Sequence, residues 1–373
     1  MAGKSPGSAT GTGAPGIGKT LSDFKAKHDP QTIIARLEAE LRKAHEQSAD
    51  AAAIKEAIGV LGAELDTLKP PEWTHQTPKD SGAPGVPTLF LSDLHWGEVV
   101  HAGQINGVNR FNLAIARARL RYTVETAVSL LGILDPQMRY PGIVVPLGGD
   151  MISGNLHEEL SATNELNTMP TVLDLFEHLA SAIGFLADSI GAVFLPCVTG
   201  NHGRDTRKIW AKDRHHTSFD WLLYQFLAKH FAGDKRVTFH IPDGNDASYA
   251  VFGTRYLLTH GDRLGHGGDG LIGFLGPVLR GDHKKRSRNA QIGSSYDILL
   301  AGHWHQYTHM SRAIVNGSLK GYDEYAYIEN FPFEQPQQAL WITHPRHGVT
   351  FRMPVYCEAA AKPARGEWVS IPA

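Results

Sequence analysis

Five short apolar runs, each closing on residues that carry chemistry, constrain this 373-residue chain more than anything else in it. They are "TLFLSD" (88–93), "GIVVPLGGD" (142–150), "AVFLPCVTGNH" (192–202), "RYLLTHGD" (255–262) and "DILLAGHWH" (297–305). Unbroken apolar runs of this length read as strands buried on both faces, and the polar residues then fall at their C-terminal ends. Helical stretches intervene at about 109–134, 166–190 and 215–232. Such alternation predicts an α/β protein with its ligands gathered along one edge of the sheet. From 311 to 356 apolar and polar residues alternate, as in "AIVNGS", "ALWITH" and "VTFRMPV", which predicts further, mixed strands. No internal repeat is apparent.

The N-terminal region has another texture. Residues 1–20 are mostly Gly, Ser, Thr, Ala and Pro, a flexible leader by composition. Within them "GAPGIGKT", Gly13 to Thr20, spells a phosphate-binding loop. Only twelve mostly small residues precede it, with no strand to hold its amides toward a phosphate, so the match reads as compositional. Residues 21–69 read as a helical or coiled-coil extension. Ile34, Leu37 and Leu41, and later Ile54, Ile58, Leu61, Leu65 and Leu68, follow at steps of three and four, as in a coiled-coil seam. The register breaks from Ser48 through Ala51 to Ile54, so a hairpin folding back on the body and a self-associating coiled coil both remain open. The segment 70–87 reads as a linker, 88–358 as the main α/β domain and 359–373 as a tail.

Bulk composition excludes several classes. With 42% apolar and 20% charged residues the chain has the makings of a globular core, and a formal charge of -2 gives no global field toward nucleic acid or anionic membrane. Two cysteines exclude a disulfide scaffold and suit a reducing compartment. No segment approaches the length of a membrane span or a signal-peptide core, so the expected location is cytoplasmic. Twenty histidines raise a metal hypothesis without locating it.

The five strand ends do locate it. They offer Asp93 and His95, Asp150, Asn201, His260, and His303 and His305 as ligands. A lone Asp-x-His pair or loop histidine is ordinarily a capping or surface residue; the weight comes from the order and from the strand before each one. Hydrolysing a phosphate ester needs a strong nucleophile at neutral pH and neutralised phosphoryl oxygens. Two divalent ions about 3.5–4 Å apart supply both, by acidifying a bridging water and clamping the phosphate. One carboxylate must bridge them, and Asp150, flanked by glycine, suits that role. The i, i+2 pairs Asp93/His95 and His303/His305 point the same way from an extended segment.

In that order the motifs D-x-H, G-D, G-N-H, H and G-H-x-H resemble the calcineurin-like metallophosphoesterase superfamily, from about residue 88 to 318 and including a closing "NGS" at Asn316–Ser318. The resemblance implies a four-layer α/β/β/α sandwich. It implies one metal held by Asp93, His95, Asp150 and His305, and a second by Asp150, Asn201, His260 and His303. The mixed oxygen and imidazole donors suit Mn²⁺ first, with Fe, Zn²⁺ or Mg²⁺ as alternatives, over Ca²⁺. His202 corresponds to a non-ligand histidine that meets the scissile phosphate and protonates the leaving oxygen. Many relatives follow it with an acid, whereas here "GNHGRD" places Gly203 and Arg204 first, so either Asp205 reaches back or another acid such as Asp93 orients the ring. The bare "GGDMISG" favours the phosphodiesterase and nuclease branch, in its phage or prokaryotic type, over protein phosphatases.

The substrate is less legible. Arg204, the first choice for a phosphate clamp, and Arg207 belong to a basic stretch, "GRDTRKIWAKDR", and "HKKRSR" (283–288) is a second. On one face they would make a track for nucleic acid; separately they are solvated charges. Trp96, Trp210 and Trp304 are candidates for stacking a base, or for packing. The expected substrate is a nucleic acid or nucleotide phosphodiester. A phosphomonoesterase and a non-catalytic adaptor are the alternatives, and the N-terminal helix is the expected site of homo-oligomerisation or partner docking.

Overall fold

The computed structural model describes residues 70–75, 82, 84–156, 158–265 and 273–359. The leader with its Gly13–Thr20 loop, the helical extension, much of the linker and the tail beyond 359 lie outside the described residues.

Among the described residues, eleven strands form two mixed sheets. The six-stranded sheet runs β11-β10-β1-β2-β3-β4, from β1 (Val86–Phe90), β2 (Ile143–Val144), β3 (Val193–Pro196), β4 (Val237–His240), β10 (Gln337–His344) and β11 (Gly348–Tyr356). The five-stranded sheet runs β5-β6-β7-β9-β8, from β5 (Asp246–Val251), β6 (Thr254–Thr259), β7 (Ile298–Ala301), β8 (Thr308–His309) and β9 (Ala313–Val315). β1 through β4 are parallel, as are β6, β7 and β9. Parallel neighbours need a crossover. Helices α1 (Leu113–Leu134), α2 (Glu158–Thr163), α3 (Thr168–Ile190) and α4 (Phe219–His230) supply it in the first sheet, and α5 (Leu275–Gln291) in the second. A short α6 (Glu324–Ile328) follows β9.

Three apolar interfaces separate four layers. Phe90, Val144 and Phe194 on the first sheet meet Tyr249, Tyr256, Leu258 and Leu300 on the second, with Trp341 filling the same interface. The first sheet's other face packs on α1, α3 and α4 through Leu89, Val145 and Leu195 against Leu120, Leu179 and Leu223. The second sheet's outer face takes α5 through Leu257 and Leu299 against Val278. The result is an α/β/β/α sandwich. Burying each large apolar side chain in these interfaces contributes about 1.5–3 kcal/mol. α1 shows why the helices stand where they do. Asn112 caps it by accepting the amide of Ile115 at 2.9 Å, and Leu113, Ala116, Leu120, Val124, Ala127 and Leu131 form one buried stripe.

The three helical stretches expected from sequence correspond to α1, α3 and α4. α5 was not legible: it is polar nearly throughout, so no apolar stripe announces it, and it carries the "HKKRSR" run. β10 returns antiparallel beside β1, which is how the alternating C-terminal segment makes the first sheet mixed. Trp73, ahead of β1, packs over Gly142, and Thr74 is fully buried with its carbonyl oxygen accepting the Phe252 amide at 2.8 Å. Among the described residues no helix is long and apolar enough to cross a membrane.

Candidate metal centre

The C-terminal ends of β1, β2, β3, β6 and β7 face one rim of the sandwich, and the chain turns sharply at each. Asp93, His95, Asp150, His303 and His305 all have positive φ, from 47° to 70°. This left-handed region is costly for residues with a Cβ and is kept where the surroundings hold it. Here adjoining loops hold it. The Asp93 carbonyl accepts Ser318 Oγ at 2.9 Å, and Asn316 Nδ2 donates to Phe90 O and Ser92 Oγ, so the "NGS" segment braces the Asp93 turn. Asp93 Oδ1 in turn accepts the His303 amide at 2.9 Å.

Seven expected ligands are thereby brought to one place, in two groups. Asp93, His95 and His305 offer donor atoms within 4.8 Å of one another, and so do Asp150, His260 and His303. His95 Nε2 and His305 Nε2 face each other at 3.0 Å, and Asp93 Oδ1 is 3.4 Å from His305 Nε2. In the second group His260 Nε2 is 3.0 Å from both Asp150 Oδ2 and Asn201 Oδ1. Asp150 also forms a like group with His95 and His202, so it stands between the two.

These donors fit metal ions. Two imidazole nitrogens pointed at each other share at most one proton, and a carboxylate and a carboxamide oxygen converging on a third nitrogen share only one more. A cation in either position would satisfy all of them, and a mixture of carboxylate, carboxamide and imidazole donors suits a divalent metal ion. Burial pulls His95 down to about 4, with Lys320 adding to it, and burial with His260 does the same to His303. Burial works against charge on His260 as well, but the Asp150 carboxylate outweighs it and holds that imidazole up at about 10. Asp150 is held well below the usual carboxylate range: burial opposes this, and His260 and His202 outweigh it.

His202 lies beside the groups and not in either. Its amide donates to Asp150 Oδ1 at 2.7 Å. The ring nitrogen that the sequence offers to Asp205 or Asp93 sits 3.1 Å from the backbone carbonyl O of Ser153. A carbonyl oxygen can only accept, so Nδ1 is the donor in that contact. Close approach here needs glycine. Gly154 has φ +68, and a Cβ on it would lie 2.3 Å from His202 O; one on Gly200 would lie 2.1 Å from Asp150 Oδ1.

Three supporting residues escaped the sequence reading. Asp220, near the start of α4, is fully buried and accepts the amides of Asp150 (3.0 Å), Met151 (3.2 Å) and Gly200 (2.9 Å), tying two strand ends together. Burial and the nearby Asp150 push it up to about 7. Glu98 lies 3.3 Å from His95 Nδ1 without hydrogen-bond geometry, and accepts Lys320 Nζ at 2.8 Å and Ser153 Oγ at 2.9 Å. Buried Lys320 also pairs with Asp323. A histidine backed by a carboxylate is a familiar arrangement behind a metal ligand.

The substrate residues separate. Arg204 donates to the carbonyls of its own loop, Asn201 at 2.6 Å and Thr206 at 3.0 Å, while Arg207 is exposed. Most of the "HKKRSR" charges are paired close by. Lys285 and Arg288 pair with Asp246, and Arg286 with Asp282. Trp96 is fully buried and donates to Asp174 Oδ2 at 2.7 Å, so it packs and cannot stack a base. Trp304 packs against the second sheet's outer interface near Phe274, and Trp210 is half exposed.

Fold and site thus define an α/β sandwich with donor groups for two cations at one rim. No family model matches the chain, and no curated protein matches its sequence. Among solved structures, a dimetal phosphatase from Danio rerio is similar over 74% of this chain and 100% of that chain, at 12% identity and a TM-score of 0.34, a likeness too distant to assign family or activity.

Proposed function

We propose that this protein is a two-metal phosphoester hydrolase of the calcineurin-like kind. One cation is held by Asp93, His95, Asp150 and His305, and the other by Asp150, Asn201, His260 and His303. The observation that carries the reading is the meeting of these seven donors from five strand ends, with Asp150 between the two groups. Two such cations supply a nucleophile at neutral pH and neutralise the phosphoryl oxygens. The chain's own residues do the rest. His202, oriented by the Ser153 carbonyl, presents Nε2 to the leaving oxygen as a general acid. Arg204 shapes the loop carrying Asn201 and His202, and exposed Arg207 is the candidate phosphate contact. Mn²⁺ is the first choice of metal.

Within that class we favour a phosphodiester of nucleic acid or a nucleotide, on the bare Asp150 turn, over a phosphomonoester or a non-catalytic adaptor. A panel crossing Mn²⁺, Fe²⁺, Zn²⁺ and Mg²⁺ with aryl phosphomonoester, aryl phosphodiester, cyclic nucleotides, and single- and double-stranded DNA and RNA tests all three. Diesters turned over and chelator-sensitive support the reading. Faster monoester hydrolysis selects the phosphatase alternative, and binding of metal without any turnover selects the adaptor.

A further inference from the structure

Another group of donors stands apart from the seven. His215 and His216 occupy the single 3-10 turn His215–Thr217 before α4, and Asp243 lies in the loop after β4; their ligating atoms are all within 4.8 Å of one another. His216 and Asp243 are exposed. His215 is not: its side chain is 7% exposed, and its Nε2 is buried with no hydrogen-bond partner, 3.9 Å from Asp243 Oδ1. That gap is too long for a hydrogen bond. It is within reach of two ligands sharing a cation at about 2.0–2.2 Å from each. The two imidazoles lie 3.9 Å apart between centroids, and the ring of Trp221 meets His216 edge-on at 5.0 Å and limits where it can turn.

We propose that His215, His216 and Asp243 form a separate metal site that takes a transition cation, Zn²⁺ foremost, with solvent completing the coordination. Two imidazoles and one carboxylate are a donor set for Zn²⁺, Ni²⁺ or Cu²⁺ rather than for Mg²⁺ or Ca²⁺. Three protein ligands with one open position is a geometry Zn²⁺ adopts readily. Burial lowers the basicity of His215, which favours the neutral ring that can bind metal. A bound ion would tie the β4–β5 loop to the turn that starts α4. Asp220, two residues past that turn's C-cap, holds the amides of Asp150 and Gly200, so the ion would brace the rim from outside.

The site is independent of the reading of the main centre, and ion counting separates them. Tag-free full-length protein, stripped and dialysed against Zn²⁺, is compared with His216→Ala and Asp243→Asn, both at exposed positions. Each variant is expected to bind one equivalent fewer than wild type. Asp150→Asn/His216→Ala is expected to bind one fewer than Asp150→Asn alone and to lose a Co²⁺ visible absorption that Asp150→Asn keeps. Equal ion counts in wild type and both exposed variants overturn the proposal and leave the cluster as a loose ion pair. Failure of the main-centre reading looks different: wild type would hold a single ion, and His216→Ala would remove it.

Discussion

The rim of the two sheets and the charged side of α5 are built from similar charged and polar side chains and leave them in opposite states. On α5 the chain answers its own charges: Lys285 and Arg288 meet Asp246, and Arg286 meets Asp282 and the carbonyls of Tyr296 and Asp297. At the rim, donors face donors, as His95 Nε2 faces His305 Nε2, and five of the residues concerned sit in left-handed backbone. The first region is finished by folding. The second leaves ligating atoms facing one another.

Paired substitutions test that contrast. The largest effect is expected for Asp150→Asn, whose hydrolysis of an aryl phosphodiester should fall further than the roughly 10²–10⁴ that one acid–base group contributes, while Asp246→Asn leaves kcat unchanged. Equal losses in steady-state assays would erase the distinction between the regions. Next, His202→Ala should lose about 10²–10⁴ in kcat with an alkyl leaving group and much less with nitrophenolate, which leaves without a proton. A uniform loss across leaving groups would remove His202 from that role.

Stability sharpens the same comparison. Divalent metal at a hundred times its Kd should stabilise wild type and Asp246→Asn by about 2.7 kcal/mol, seen as a raised Tm, and Asp150→Asn by clearly less. Lys285→Ala should cost about 1.5–3 kcal/mol in denaturant titrations with rim chemistry intact, since it removes a charged hydrogen-bond donor from a mostly buried carboxylate. Burial would raise Asp246, but Lys285 and Arg288 outweigh it and its pKa is lowered. Its contribution is therefore fully present above the ordinary carboxylate value of about 3.9 and is lost as pH falls through the lower folded value. Wild type and Lys285→Ala should accordingly converge in stability on acidification, and curves that stay parallel would deny the pairing. Least of all, Lys284→Ala, exposed on the same helix, should stay within about 0.5 kcal/mol of wild type.

The sequence disclosed the rim better than its supports. Asp93, Asp150, Asn201, His260 and His303 each follow an apolar run, so a local pattern announces both strand and donor. Asp220 gave no such sign. In "TSFDWLL" it reads as an acid at a helix start, and nothing nearby shows that it accepts amides from residues 70 and 20 positions back. Glu98 and Lys320 are 222 residues apart and meet only because the loop after β9 returns to the Asp93 turn that follows β1. Arg204 shows the converse. Its position beside Asn201 suggested a substrate contact, and only coordinates reveal that its guanidinium is engaged by its own loop's carbonyls.

The Ser153 oxygen that aims His202 belongs to the main chain, and this has a consequence for how the gene can change. No codon removes a peptide carbonyl, so a change of side chain at position 153 leaves the acceptor itself in the chain. The sensitive position is its neighbour Gly154, where even one methyl group would collide with the backbone of His202 and so shift the ring without any change to the imidazole or to its acceptor.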